Sequence, residues 1–116
     1  MTKIPTISGL KDIYQDYDVF ILDQWGVMHD GYKGYSKAIS CIKKLFVNNK
    51  QLIIISNSSK RKNLTILKLP KLGFKLEYFL EIMTSGEMIW QSLENEKHKE
   101  TKNLGKNCFH IFDERK

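Results

Sequence analysis

The chain is poor in the residues that staple or interrupt a fold. Two prolines and two cysteines occur among its 116 residues, so neither a proline-rich segment nor a disulfide framework is available. Cys41 and Cys108 lie far apart in sequence, at no metal-ligand spacing, and are expected to serve as small core hydrophobes in a reducing compartment. Long apolar runs are missing too. Leu52 to Ile55 is the longest strictly aliphatic stretch, too short to span a bilayer. Met1-Thr2-Lys3-Ile4-Pro5 contains no apolar core of an export signal, so the cytoplasm is the expected location and no membrane partner is expected. Neither a P-loop nor a Gly-rich dinucleotide fingerprint is present.

Acidic residues are missing from one long segment. Between Gly31 and Leu76 there are eleven Lys or Arg and no Asp or Glu, within a chain of net charge +6. A basic middle suits nucleic acid, an acidic partner or an anionic substrate. The charges sit at helical intervals between apolar residues rather than in one block. That favours a lysine-rich solvated surface and makes a nucleic-acid-binding module the weakest of the functional readings. The composition is otherwise globular, 41% apolar and 28% charged, and the length fits one domain with a core.

Strand and helix signals alternate. A short helix is expected around Leu10 to Tyr14. Val19-Phe20-Ile21-Leu22 is an unbroken apolar run, the pattern of a strand buried on both faces. Gly26 to Gly34, with three glycines, His29 and Asp30, reads as a loop or tight hairpin. From Tyr35 to Phe46 apolar residues recur on one helical face, with Ser36 as a candidate cap. Leu52 to Ile55 predicts a second strand, and Ser56-Asn57-Ser58-Ser59 is suited to capping the next helix. That helix is expected from about Lys60 to Leu72, kinked or broken at Pro70 and ended by Gly73. Glu81-Ile82-Met83 is a weak third strand. Thr84 and Glu87 fit a capping box opening a helix with Met88, Ile89, Ser92 and Leu93 on one side. A polar loop over 94–107 leads to a last strand candidate, Cys108 to Phe112. Phe46, Phe74, Tyr78, Phe79 and Trp90 are expected in the core, and for His98 and His110 the sequence offers no carboxylate or cysteine at metal-ligand spacing.

This alternation predicts an α/β fold: a Rossmann-like parallel sheet with helices on both faces, joined by right-handed crossovers. Functional groups in such a sheet gather at the carboxyl ends of the strands. Asp23 ends the first strand, and Ser56-Asn57 end the second. A carboxylate, a hydroxyl and amide donors around one crevice suit transfer of a phosphoryl group to the carboxylate. The plainer alternatives are a loop cap for Asp23 and a helix cap for Ser56-Asn57.

At these residues the chain resembles the haloacid dehalogenase superfamily, and within it the class IIA, NagD-type phosphatases. Asp18-Val19-Phe20-Ile21-Leu22-Asp23-Gln24-Trp25-Gly26-Val27 is similar to the family's first motif. Gly34-Tyr35-Ser36 through Lys44-Leu45 is similar to the helix that follows. Ile53-Ile54-Ile55-Ser56-Asn57-Ser58 resembles the second motif. Leu67-Lys68 through Leu72-Gly73-Phe74 and Thr84-Ser85-Gly86-Glu87 resemble the next helix end and loop.

The resemblance implies that Asp23 is the nucleophile of an Mg²⁺-dependent phosphate-ester hydrolase. The Asp23 carboxylate and the Trp25 backbone carbonyl would bind the metal. Ser56 would bind the phosphoryl group of a small phosphorylated metabolite, and Asn57 with the backbone after it would help to orient that substrate. Two departures accompany it. The family's second aspartate, the general acid, is replaced by Trp25, whose indole shuttles no proton near neutral pH; Asp30 and His29 are nearby candidate substitutes, with a plain loop role the alternative for each. The chain also matches only the amino-terminal part of a core domain, residues 1–116. The cap, a lysine (Lys60 is not in its place) and further metal ligands would belong to a second half of the same protein. The isolated chain is accordingly expected to be inactive, and its alternative role is a non-catalytic interaction or regulatory remnant.

Overall fold

The structure, a computed structural model, describes residues 4, 6–95, 99 and 101–111. Three parallel strands form its sheet: β1 (Val19–Leu22), β2 (Gln51–Ser56) and β3 (Glu81–Thr84), in the order β1-β2-β3. Helix α1 (Ser36–Val47) joins the first pair, α2 (Lys62–Lys68) the second, and α3 (Ser85–Asn95) follows β3 directly. Two 3₁₀ turns, Leu10–Asp12 and Tyr14–Asp16, stand where a short helix was expected. The parallel α/β sheet expected from the strand–helix alternation is therefore present.

One face of the sheet makes the core. Phe20, Leu52, Ile54 and Ile82 point to it, and pack with Ile42 and Leu45 of α1, Met28 of the hairpin, and Leu69, Leu72 and Phe74 after α2. Each such side chain is worth about 1.5–3 kcal/mol of burial. The other face differs from expectation. Val19 and Ile21 are exposed while Phe20 is buried, so β1 is not covered on both faces; Ile55 of β2 is exposed on that side as well. The unbroken apolar run hides this alternation, because residue type alone cannot say that one face lacks a cover.

Several local expectations are corrected in the same way. Ser36 is the first helical residue rather than a cap, and no side chain caps α1 at Tyr35. Its other end is closed at Asn48, whose Nδ2 donates to the Lys44 carbonyl at 2.8 Å. Pro70 does break its helix: α2 stops at Lys68, a 3₁₀ turn runs Pro70–Leu72, and Gly73 closes it at φ 91°. The cap expected from Ser56–Ser59 is absent, since α2 begins three residues later. Of the five aromatics assigned to the core, Phe74 is fully buried and Tyr78 and Phe79 pack at its margin. Phe46 and Trp90 are exposed. Cys41 packs against the core, whereas Cys108 is exposed.

The apolar stripe of α3 is uncovered, with Met88, Ile89 and Leu93 all exposed. Residues 108–111 form no strand, and Phe112 lies outside the described residues, as does His98. No helix among the described residues is long and apolar enough to cross a membrane.

Candidate functional site

The sheet brings the expected residues to one end. Pairing of Leu22 with Ile54 places Asp23 just past the β1–β2 ladder, and Ser56 ends β2 opposite Thr84 of β3. Asp23 and Asn57 are exposed; Ser56 is buried. The Ser56 hydroxyl oxygen accepts the Ser58 N–H at 3.3 Å, which leaves its own proton for another acceptor.

The segment after Asp23 turns on a single carbonyl. The N–H groups of Val27, Met28 and His29 all point at the Gln24 carbonyl, at 3.2, 2.8 and 3.3 Å, and Gly26 N–H donates to the His29 carbonyl at 2.9 Å. Asp30 is occupied in this loop. Its Oδ1 accepts the Tyr32 and Lys33 N–H groups at 2.9 and 2.8 Å, and those backbone bonds, Lys33 first, hold its carboxyl below the usual range. As a turn anchor it is a poor substitute for the acid that Trp25 displaces. His29 is 2% exposed, and its Nδ1 accepts the Gly31 N–H at 3.0 Å, so its proton sits on Nε2. Burial first, then the nearby Lys68 charge, push its pKa down and keep the ring neutral. Trp25 lies edge-to-face on that ring, centroids 5.1 Å apart, with Lys68 Nζ 5.1 Å from the indole.

The loop after Ser56 is held from the far side of the sequence. Gly86 N–H donates to the Ser58 carbonyl at 3.0 Å, and Thr84 Oγ1 donates to the Lys60 carbonyl at 2.6 Å. A Cβ on Gly86 would come within 2.0 Å of the Ser59 carbonyl oxygen, so only glycine permits this approach. Half of the expected capping box is present: Thr84 Oγ1 accepts the Glu87 N–H at 3.1 Å. The other half is redirected. Buried Glu87 reaches Arg61 Nε at 2.7 Å and the Lys62 N–H at 3.2 Å, so it caps α2 instead of its own helix. Arg61 in turn lies 3.6 Å over the Trp90 ring. The Arg61 contact, above all, lowers the Glu87 pKa to about 2.

A cavity of about 560 Å³ opens beside Ser56, between the hairpin and α2. Gln24, Trp25, His29, Lys60 and Lys68 are among its walls. Gln24 is 5% exposed, and its Nε2 has no hydrogen-bond partner among the described residues. Sequence reading missed Gln24 and the Arg61–Glu87 pair, since neither has a local signature. Magnesium takes six oxygens, commonly one or two carboxylates with phosphate and water. Among the described residues no group of three or more His, Cys, Asp or Glu could hold a metal. Asp23 with the Trp25 carbonyl would not by themselves complete such a site.

A family model described as haloacid dehalogenase-like hydrolase matches residues 20–115. Among solved structures, the chain is similar to a hydrolase of the haloacid dehalogenase-like family from Brucella suis 1330. The TM-score is 0.66 at 24% identity, covering 74% of this chain and 32% of that one. The chain thus spans about a third of the length of that relative, and at this identity the likeness shows the fold. Among curated proteins no match is found.

Proposed function

Since the chain belongs to the haloacid dehalogenase-like hydrolase family, we propose that it is the amino-terminal part of the core of a class IIA phosphohydrolase, acting on a small phosphorylated metabolite in the cytoplasm. The observation that carries this reading is the placement of Asp23 and Ser56 at the carboxyl ends of adjacent parallel strands.

In the proposed reaction an Asp23 oxygen attacks phosphorus in line while the ester P–O bond opposite breaks, its electron pair leaving on the alcohol oxygen. Water then cleaves the aspartyl-phosphate, releasing phosphate and the free carboxylate. The Ser56 hydroxyl donates to a phosphoryl oxygen, and Asn57 helps to orient the substrate. The Mg²⁺ implied by the family needs carboxylates beyond Asp23. Asp23 and the Trp25 carbonyl are this chain's share of its ligands, and a second half of the protein supplies the rest.

Trp25 limits the reaction. Without an acid at that position the leaving group departs unprotonated, and a contribution of about 10²–10⁴ in rate is missing. Substrates with good leaving groups are favoured. The same residue supports a second reading, a binding domain that has lost turnover. In the full-length protein Asp23→Asn should abolish Mg²⁺-dependent phosphatase activity, a loss of about 10³-fold or more. An unchanged rate would refute Asp23 as nucleophile, and full turnover abolished by EDTA would dispose of the non-catalytic alternative.

A further inference from the structure

The cavity between the hairpin and α2 has a chemistry that the phosphoryl-transfer residues do not use. Lys60 reaches it from the loop after β2, Lys68 from the end of α2, and Lys71 from the 3₁₀ turn beyond Pro70. No Asp or Glu is among its described lining residues. This follows from the sequence, because the acid-free segment Gly31–Leu76 supplies the whole α2 side of the wall. Opposite the lysines stand two buried donors. His29 is the Nε2–H tautomer, since Nδ1 is taken by Gly31. Gln24 keeps an amide nitrogen with no partner among the described residues, a costly state for a buried donor unless an acceptor arrives.

We propose that this cavity binds the leaving-group side of the substrate, and that this side carries a second negative charge, such as a carboxylate. Lys68 and Lys71 take the charge, while Gln24 and His29 donate to oxygens between it and the scissile phosphate. The inference rests on the phosphohydrolase reading for the position of the scissile phosphate near Ser56. It goes further in defining the substrate as a phosphomonoester of an acidic alcohol. Trp25, edge-on to His29 and beneath Lys68, forms an apolar wall beside them.

A matched pair of probes tests this. 3-Phosphoglycerate and glycerol 3-phosphate share a phosphomonoester and differ in the carboxylate. Their affinities are measured by calorimetry on the full-length protein carrying Asp23→Asn, so that no turnover intervenes. 3-Phosphoglycerate should bind tighter by about tenfold or more, the gain of one additional charge-assisted contact. Lys68→Gln with Lys71→Gln should erase the difference, and Gln24→Leu should weaken 3-phosphoglycerate several-fold. Lys75→Gln, which removes a lysine that does not line the cavity, should leave the difference intact. Equal affinities for the two probes, or a preference that survives the double lysine change, would overturn the proposal.

Hydrolysis of an aryl phosphate, whose leaving group needs no proton, is scored separately with the unsubstituted protein. Asp23-dependent turnover without the preference overturns this site alone. A Lys68- and Lys71-dependent preference without Asp23-dependent turnover supports the site and overturns the phosphohydrolase reading.

Discussion

Glu87 and Arg61 lie 26 residues apart in sequence and meet twice, Nε to Oε2 at 2.7 Å and Nη2 to Oε1 at 3.4 Å. The same carboxylate accepts the Lys62 N–H at the start of α2. One buried side chain on α3 thereby fixes both the beginning of α2 and the end of the loop that follows Ser56. A carboxylate with a cation and a backbone donor is well satisfied there; without the cation it would be a buried, uncompensated charge.

Acid should therefore loosen the loop. The Glu87 carboxyl titrates at about 2 when folded against 4.5 ordinarily, so between these values the unfolded chain binds more protons than the folded one. The contribution is fully present above about pH 4.5 and is lost as pH falls toward about 2. Glu87→Gln should flatten this acid limb in urea titrations and accelerate exchange of the Gly86 amide. An acid limb unaltered by the substitution would contradict the assignment.

The close approach at Gly86 makes a second, steric prediction. Gly86→Ala places a methyl group against the Ser59 carbonyl, which is backbone and cannot rotate away. A loss of about 1–3 kcal/mol is expected from overpacking, together with weaker binding of phosphomonoesters. Gly9→Ala, where nothing lies within 4 Å, is the control and should be close to neutral.

Burial along the sheet should show in cavity-forming substitutions. Ile54→Ala removes a side chain with no exposure and should cost about 2–5 kcal/mol. Ile21→Ala, at a position 66% exposed, should change the unfolding midpoint little. Equal costs would mean that β1 is covered on both sides after all.

Restoring a carboxylate at position 25 addresses the missing acid. In the full-length protein Trp25→Asp should raise turnover of alkyl phosphates, whose leaving groups need a proton, by up to about 10²–10⁴. Aryl phosphates should gain much less. A uniform gain on both classes would point to substrate access instead of proton transfer.

Much of this was legible in the residues. β1 and β2 announce themselves as β-branched runs, Pro70 and Gly73 punctuate the segment after α2, and Asp23 and Ser56 stand where strands end. Other features had no local signal. Glu87 matches a capping box, and periodicity cannot show that its side chain crosses to another helix. The Val19–Leu22 run and the α3 stripe of Met88, Ile89 and Leu93 look like core because residue type reports a capacity for burial, whereas the partner that would bury them is set by tertiary structure. Asp30 and His29 read as chemistry or loop alike until the structure showed the first anchoring a turn and the second lining a cavity.

The bare side of the sheet also governs how the chain behaves in a tube. Val19, Ile21 and Ile55 share an exposed surface with no helix over them among the described residues, next to β1, whose outer edge is unpaired among the described strands. An apolar strip flanked by open backbone donors and acceptors invites lateral growth from molecule to molecule. Turbidity and light scattering should rise with protein concentration well before any ligand is added. The charge of +6 slows that growth at low ionic strength and ceases to do so as salt screens it. Dilute, low-salt conditions are thus the regime in which a titration of this chain reports on its site instead of on its neighbours.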